Sequence, residues 1–123
     1  MTYAALTGWG KCLPPATLTN ADLSTFLPTD DAWITSRTGM KERRVSHVSG
    51  LELSTVAAKR ALACAGVAAE DLDFIIYGSC SADEQVPNSA SGLQVALGAY
   101  KAAAMDVNTA CTSFLYGMST ATA

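Results

Sequence analysis

An α/β layered fold with a mainly parallel, mixed sheet is predicted by three features of this sequence. Strand-like and helix-like segments alternate along its 123 residues. A short continuous apolar run, FIIYGSC at 74–80, has the character of a strand buried on both faces, as parallel strands are. Helical stretches are flanked by capping residues in front and by Gly39, Gly66 and Gly98 behind.

The elements follow in order. YAALTGW at 3–9 is apolar and β-tolerant and reads as a first strand, which LPPAT then breaks. In LTNADLSTFL, Thr19 or Asn20 caps a helix with Leu23, Phe26 and Leu27 on one face. LPTDDAWITSRTG repeats the pattern, with Thr29 as cap, Asp30 and Asp31 suited to the positive helix start, and Gly39 as stop. KERRVSHV reads as extended. Residues 52–65 form the clearest helix, with an apolar stripe, a basic edge and Gly66 at the end. AAEDLD turns into the 74–80 strand. NSASGLQVALG is the next helix, capped by Asn88 or Ser89, and KAAAMDVN the next strand. A helix begins after Cys111. No short-period repeat, low-complexity tract or linker interrupts the series.

Half of the residues are hydrophobic and only 15% are charged. A small domain has much surface to cover, so this balance implies packing against a partner or membership of a longer chain. The apolar helix start SFLYGMSTATA, without a closing cap, favours the longer chain. The net charge of −3 and the lack of a basic stripe argue against nucleic acid as a partner. No charged leader precedes a long apolar segment, and no apolar run reaches membrane-span length. Cys12, Cys64, Cys80 and Cys111 form no Cys-x-x-Cys pair, and the sole histidine, His47, is at metal-ligand spacing from none of them. No metal site or disulfide framework is expected, and free thiols fit a reducing cytoplasm. Cys12, Cys64 and Cys80 read as small buried hydrophobes.

Cys111 differs from them. In DVNTACTSFLYGM it falls where a strand ends and a helix begins. Free backbone N–H groups and the helix dipole favour an anion there, and thiol pKa values in such settings fall to roughly 3.5–7.5. Functional groups also gather at the carboxyl ends of strands in open α/β sheets. Small neighbours, Ala110 and Ser113, leave room for a substrate. On spacing alone, a covalent nucleophile and a structural cysteine stand as equal readings.

Three ordered segments carry a resemblance that separates them. DVNTACTSFLYGM is similar to the active-site segment of the β-ketoacyl-acyl-carrier-protein synthase III family, of thiolase fold. TNADLSTFLPTDDAWITSRTGMKERR at 19–44 resembles that family's coenzyme A-binding N-terminal region. GSCSADEQVPNSASGLQVALGA at 78–99 resembles the loop and helix before its nucleophile strand. The resemblance implies the N-terminal part, 1–123, of a cytoplasmic, homodimeric acyltransferase of fatty acid synthesis. Cys111 would take an acyl group from acyl-coenzyme A as a thioester and pass it to malonyl-acyl carrier protein after loss of CO₂. No cofactor is implied beyond the coenzyme A thioester, which is substrate.

The same resemblance implies coenzyme A contacts at Thr29, Trp33 and Arg37, the last two on one helix face. From the residues alone, Trp33 would pack against Phe26 and Arg37 would be a solvated helix end. It also implies an acyl-pocket role for Val86, reaching across a dimer, where the family often carries Phe. The smaller side chain points to a longer primer. Hydroxyls around the nucleophile are more numerous than in the commoner Ala-rich version. The family's catalytic His and Asn lie in a later half that is absent here. His47 matches neither, and residues 1–123 alone are expected to be inactive. Rival readings are another thiolase-fold condensing enzyme (long-chain acyl, alkylquinolone or polyketide starter), a non-catalytic partner subunit, or a redox-sensing Cys111.

Overall fold

In a computed structural model, which describes residues 4–123, the chain divides into two compact units. One is Leu13–Val48. The other comprises the described part of Met1–Cys12 together with Ser49–Ala123.

The Leu13–Val48 unit is built on two short antiparallel strands, β1 (Ala16–Thr19) and β2 (Glu42–Val45), with Ala16 opposite Val45 and Thr19 opposite Glu42. Between them run helices α1 (Asn20–Ser24) and α2 (Asp31–Thr38). Thr19 caps α1 in a reciprocal box. Its hydroxyl accepts the Asp22 N–H, and the Asp22 carboxylate accepts the Thr19 N–H at 2.8 Å. Asn20, the alternative cap in the sequence, is instead the first helical residue and is 2% exposed. Its amide donates to Asp31 Oδ1 and to the Met40 carbonyl, both at 2.8 Å, and its oxygen accepts from Arg43 Nη2 at 2.9 Å. Arg43 also donates to the Leu18 carbonyl at 3.1 Å. One buried amide thus joins α1, α2, β2 and the preceding turn. The Asn20 hydrogen bond, and then the Lys41 ammonium at 2.9 Å, hold the Asp31 carboxyl below its usual pKa.

Two expectations change in this unit. The cap of α2 is Asp30, whose Oδ1 accepts the Trp33 N–H at 2.7 Å, and not Thr29. A carboxylate is the better partner for the positive helix end. The helix foreseen through Leu27 ends at Ser24, because the Thr25 and Ser24 hydroxyls bond back to the Asp22 and Asn20 carbonyls. Phe26 is left exposed. Gly39 terminates α2 as expected, at φ 71°, where a side chain would be strained.

In the other unit, α3 (Gly50–Ala65) opens with a Ser49–Glu52 capping box and closes on left-handed Gly66. A 3₁₀ turn at Ala69–Asp71 leads to β3 (Phe74–Gly78). Helix α4 (Ser89–Leu97), capped by Asn88 and ended by Gly98, leads to β4 (Ala103–Val107). A second 3₁₀ turn, Ala110–Thr112, runs into α5 (Ser113–Ala121). β3 and β4 are parallel, with Phe74 opposite Ala103 and Gly78 opposite Val107. Alternate residues of β3 face opposite ways. Ile75 joins the core with Ala90, Leu93, Ala99 and Ala102, on the α4 side. Tyr77, on that same face, accepts a hydrogen bond from Ser54 of α3 at 2.9 Å. Ile76 faces α5, where a Cβ on Gly117 would stand 3.3 Å from Ile76 Cγ2.

The first strand is not observed. Tyr3 lies outside the described residues, and 4–9 form no ladder with any described strand. The segment is held instead by close approach to α3. A Cβ on Gly8 would come within 2.5 Å of the Ala61 carbonyl, and one on Gly10 within 2.1 Å of that of Ala57. Nor is β3 buried on both faces: Ile75 is 7% exposed but Phe74 is 40% exposed, because α5 covers its face only in part. Cys64 and Cys80 are exposed rather than buried, Cys64 on a helix with no fully buried residue.

Asn20→Ala removes three bonds at a buried position, costing the Met40 carbonyl its Asn20 donor and Arg43 Nη2 its acceptor. It should cost about 2–3 kcal/mol, read as a lower urea midpoint and faster amide exchange across residues 16–45. Unchanged exchange there would show that the network is dispensable.

Candidate active site

Parallel pairing puts the ends of β3 and β4, Gly78 and Val107, side by side, and the Ser79 N–H continues the ladder to the Val107 carbonyl at 3.2 Å. The loop carrying Val86 and the turn carrying Cys111 therefore leave from the same edge of the strand pair. Cys111 is exposed, in the middle of the 3₁₀ turn rather than on α5 itself. Ala110 before it has φ 49°, a left-handed conformation that costs a residue with a Cβ roughly 1–2 kcal/mol.

Ser113 stabilises this turn. It is 5% exposed; its hydroxyl accepts the Thr109 N–H at 3.0 Å and donates to the Ala110 carbonyl at 2.9 Å. Its expected role, leaving space beside the thiol, is corrected: the side chain points inward as a brace. Its Cβ would lie 3.1 Å from a Cβ on Gly78, so the glycine at the end of β3 lets the turn settle against the strand. Behind the turn, Leu6, Phe74, Ile76, Phe114 and Met118 line an apolar cavity of about 340 Å³ that reaches Ser113.

Val86 is 88% exposed, in the loop ahead of α4. Two aspartates tie that loop and the start of α4 to distant elements. Asp83 accepts the Gly50 and Leu51 N–H groups at 3.0 and 2.9 Å, and Asp106 of β4 accepts those of Ser89 and Ala90 at 2.9 and 2.7 Å. The one available signal was an aspartate inside an apolar strand, in KAAAMDVN.

In the Leu13–Val48 unit, Thr29 and Trp33 line a cleft of about 620 Å³ with Leu23, Leu27, Ile34 and Met40. Arg43 completes its wall. Trp33 does not pack into a core against Phe26; it is 57% exposed. The Arg37 guanidinium sits 5.5 Å from the centre of its ring, worth about 0.5–1 kcal/mol at an exposed site. Thr29 Oγ1 is buried with no hydrogen-bond partner among the described residues, a polar group that a ligand entering the cleft could satisfy. His47 is exposed. Among the described residues no helix is long and apolar enough to cross a membrane.

Comparison with known proteins gives a consistent result. Residues 34–123 match the family described as thiolase, N-terminal domain. A β-ketoacyl-acyl-carrier-protein synthase III of Vibrio cholerae is 62% identical over 120 residues, which are 98% of this chain and 33% of that protein. The crystal structure of a 3-oxoacyl-acyl-carrier-protein synthase III from Aquifex aeolicus superposes with a TM-score of 0.89 at 39% identity, over 94% of this chain and 38% of that one. The priming β-ketosynthase of the R1128 polyketide pathway superposes with a TM-score of 0.89 at 26% identity, over 94% of this chain and 35% of that one. The chain spans about a third of the length of the relatives it matches.

Ser113→Ala leaves the Thr109 N–H without its acceptor and should cost about 1–3 kcal/mol. The expected readout is a lower unfolding midpoint, with faster exchange of the Thr109 amide than of α4 amides. Equal exchange in the two proteins would remove Ser113 as the brace of the turn.

Proposed function

We propose that this chain, which belongs to the thiolase family through its N-terminal domain, supplies the nucleophile and the coenzyme A contacts of a β-ketoacyl-acyl-carrier-protein synthase III. The observation that carries the reading is Cys111, exposed on a braced turn at the carboxyl end of β4. Free N–H groups at the head of such a turn are the donors an oxyanion needs, and the Cys111 N–H is the candidate here.

In this reading the Cys111 thiolate attacks the acyl carbonyl of acyl-coenzyme A. The bond to the coenzyme A sulfur breaks, coenzyme A leaves as a thiolate that takes up a proton, and the acyl group stays on Cys111. Malonyl-acyl carrier protein then loses CO₂, and the electron pair of the broken C–C bond becomes a carbon nucleophile. It attacks the acyl thioester and expels the Cys111 thiolate. Groups that stabilise that carbanion are assigned to a part of the polypeptide beyond these residues, since the one histidine here is the exposed His47. The Trp33 ring with Arg37 over it forms a flat, preorganised platform for adenine, and the unpaired Thr29 hydroxyl offers a polar contact in the adjoining cleft.

The assembly is proposed as a homodimer, with Val86 at the acyl pocket. A second reading, a condensing enzyme with a longer or polyketide primer, draws on the small Val86 side chain and on the likeness to the priming ketosynthase. It keeps Cys111 as nucleophile and changes only the acyl group.

In the full-length enzyme, acyl-coenzyme A treatment followed by peptide mapping should place the added acyl mass on Cys111. Mass on Cys12, Cys64 or Cys80, or normal turnover by Cys111→Ala, would sink the assignment. Arg37→Ala should lower kcat/KM for the coenzyme A substrate roughly ten- to hundredfold, the loss of a charge-assisted contact of about 1.5–3 kcal/mol. Unchanged kinetics would take Arg37 out of the site.

A further inference from the structure

Val86 is exposed, yet the loop that carries it is tethered on both sides. Before it, Asp83 spends both carboxylate oxygens on α3: Oδ1 accepts the Gly50 N–H at 3.0 Å and Oδ2 the Leu51 N–H at 2.9 Å. After it, the Ser89 and Ala90 N–H groups donate to Asp106 Oδ2 and Oδ1 at 2.9 and 2.7 Å. These are paired, charge-assisted bonds at positive helix ends. Glu84, Gln85, Val86, Pro87 and Asn88 span the interval between the anchors.

The two aspartates complete the helix starts from a distance, taking first-turn N–H groups that the local caps leave free. α3 already carries its Ser49–Glu52 box, and Asn88 accepts the Ser91 N–H of α4 at 3.2 Å. Each local cap thus satisfies one first-turn N–H. Because the caps come from residues distant in sequence, they are also ties: Asp83 binds the loop to α3, and Asp106 binds the start of α4 to the strand that delivers Cys111. α3 touches the core through Leu51 and Ala58, and α4 contributes Ala90 and Leu93 to it. Both helices that receive these bonds therefore pack on the core.

We propose that Asp83 and Asp106 form a two-point clamp that fixes the position of Val86 and, through it, the length of primer the enzyme accepts. This rests on the reading of Val86 as an acyl-pocket residue. The two aspartates are positioning residues, acting on the acyl chain only through the loop they hold. Freed at either anchor, Val86 samples many positions and the limit on chain length blurs.

The test compares acetyl-coenzyme A with octanoyl-coenzyme A as acyl donors to the full-length enzyme. The readout is the ratio of the two initial rates of Cys111 acylation by intact mass. A ratio taken within one protein cancels any loss of folded fraction, so a merely destabilised variant does not move it. Asp83→Asn and Asp106→Asn should each shift the ratio toward weaker discrimination by about twofold or more, the lower end of coupling within a shared network. In a Val86→Ala background the same substitutions should leave the ratio unmoved. An unaltered ratio in Asp83→Asn overturns the clamp, and so does an equal shift in the Val86→Ala background, which would mean that the aspartates act by another route. Should Asp106→Asn fail to fold, the Asp83→Asn cycle decides alone. Val86→Phe separates the two levels. If it shifts preference toward acetyl while Asp83→Asn does nothing, only the clamp fails. If it leaves the ratio unchanged, the acyl-pocket reading of Val86 fails and the clamp fails with it.

Discussion

The parallel pairing of β3 with β4 is the constraint on which the candidate site depends. In a parallel pair both carboxyl ends lie at one edge, whereas an antiparallel pair would set them a strand's length apart. The register, with Gly78 opposite Val107, leaves the two following segments no choice but to emerge together. One carries Val86 and the other Cys111. The helix joining the strands packs on the face presented by Ile75, and α5 returns across the face presented by Ile76. Both loops are thereby anchored at each end by elements pressed on the same two strands.

Those elements lie close because the side chains between them are small. The core contains Ala90, Ala99 and Ala102, with Ile75 and Leu93 as its larger members. Burying one such larger side chain contributes roughly 1.5–3 kcal/mol, and two of them make a modest total. Helix caps are worth about 0.5–2 kcal/mol each, so in this unit the capping side chains Ser49 and Asn88 each weigh comparably with one larger core side chain. This accounts for how legible the helices are. It also shows where the high hydrophobic content goes. Leu6, Phe114, Leu115 and Tyr116 are each more than half exposed, so much of the apolar composition lies on the surface of this chain.

Legibility followed the range of the interaction. Helices α2, α3 and α4 and strands β3 and β4 were readable because cap, stripe and stop lie within a few residues of one another. Strand β1 was missed because its evidence is its partner, with Thr17 opposite Arg44, and LPPAT read only as a break. The strand expected at 3–9 failed for the converse reason: its apolar pattern is real, but glycine contacts with α3 replace a ladder. At the site, Cys111 could be placed at a strand-to-helix junction from local pattern, and Trp33 and Arg37 on one helix face. The inward turn of Ser113, the unpaired Thr29 hydroxyl and the long-range bonds of Asp83 are tertiary facts with no local signature, and Asp106 left only the sign of a carboxylate inside an apolar strand.

The Cys111 turn shows why local strain and tertiary bracing belong together. A glycine at 110 would relieve the left-handed cost of the present φ 49°. It would also give the residue ahead of the thiol access to many more backbone states. Alanine carries the strain and narrows those states, and the strain persists only because other bonds over-determine the turn. Ser113 supplies two of them, to the Thr109 N–H and the Ala110 carbonyl, and the Thr112 hydroxyl adds a third to the Thr109 carbonyl at 2.7 Å. At roughly 0.5–1.5 kcal/mol net for each bond, the three together offset a penalty of about 1–2 kcal/mol. The hydroxyls that make this NTACTSF segment unusual therefore have a structural use. They hold the backbone of the turn that carries the exposed Cys111 thiol, a turn that would otherwise relax.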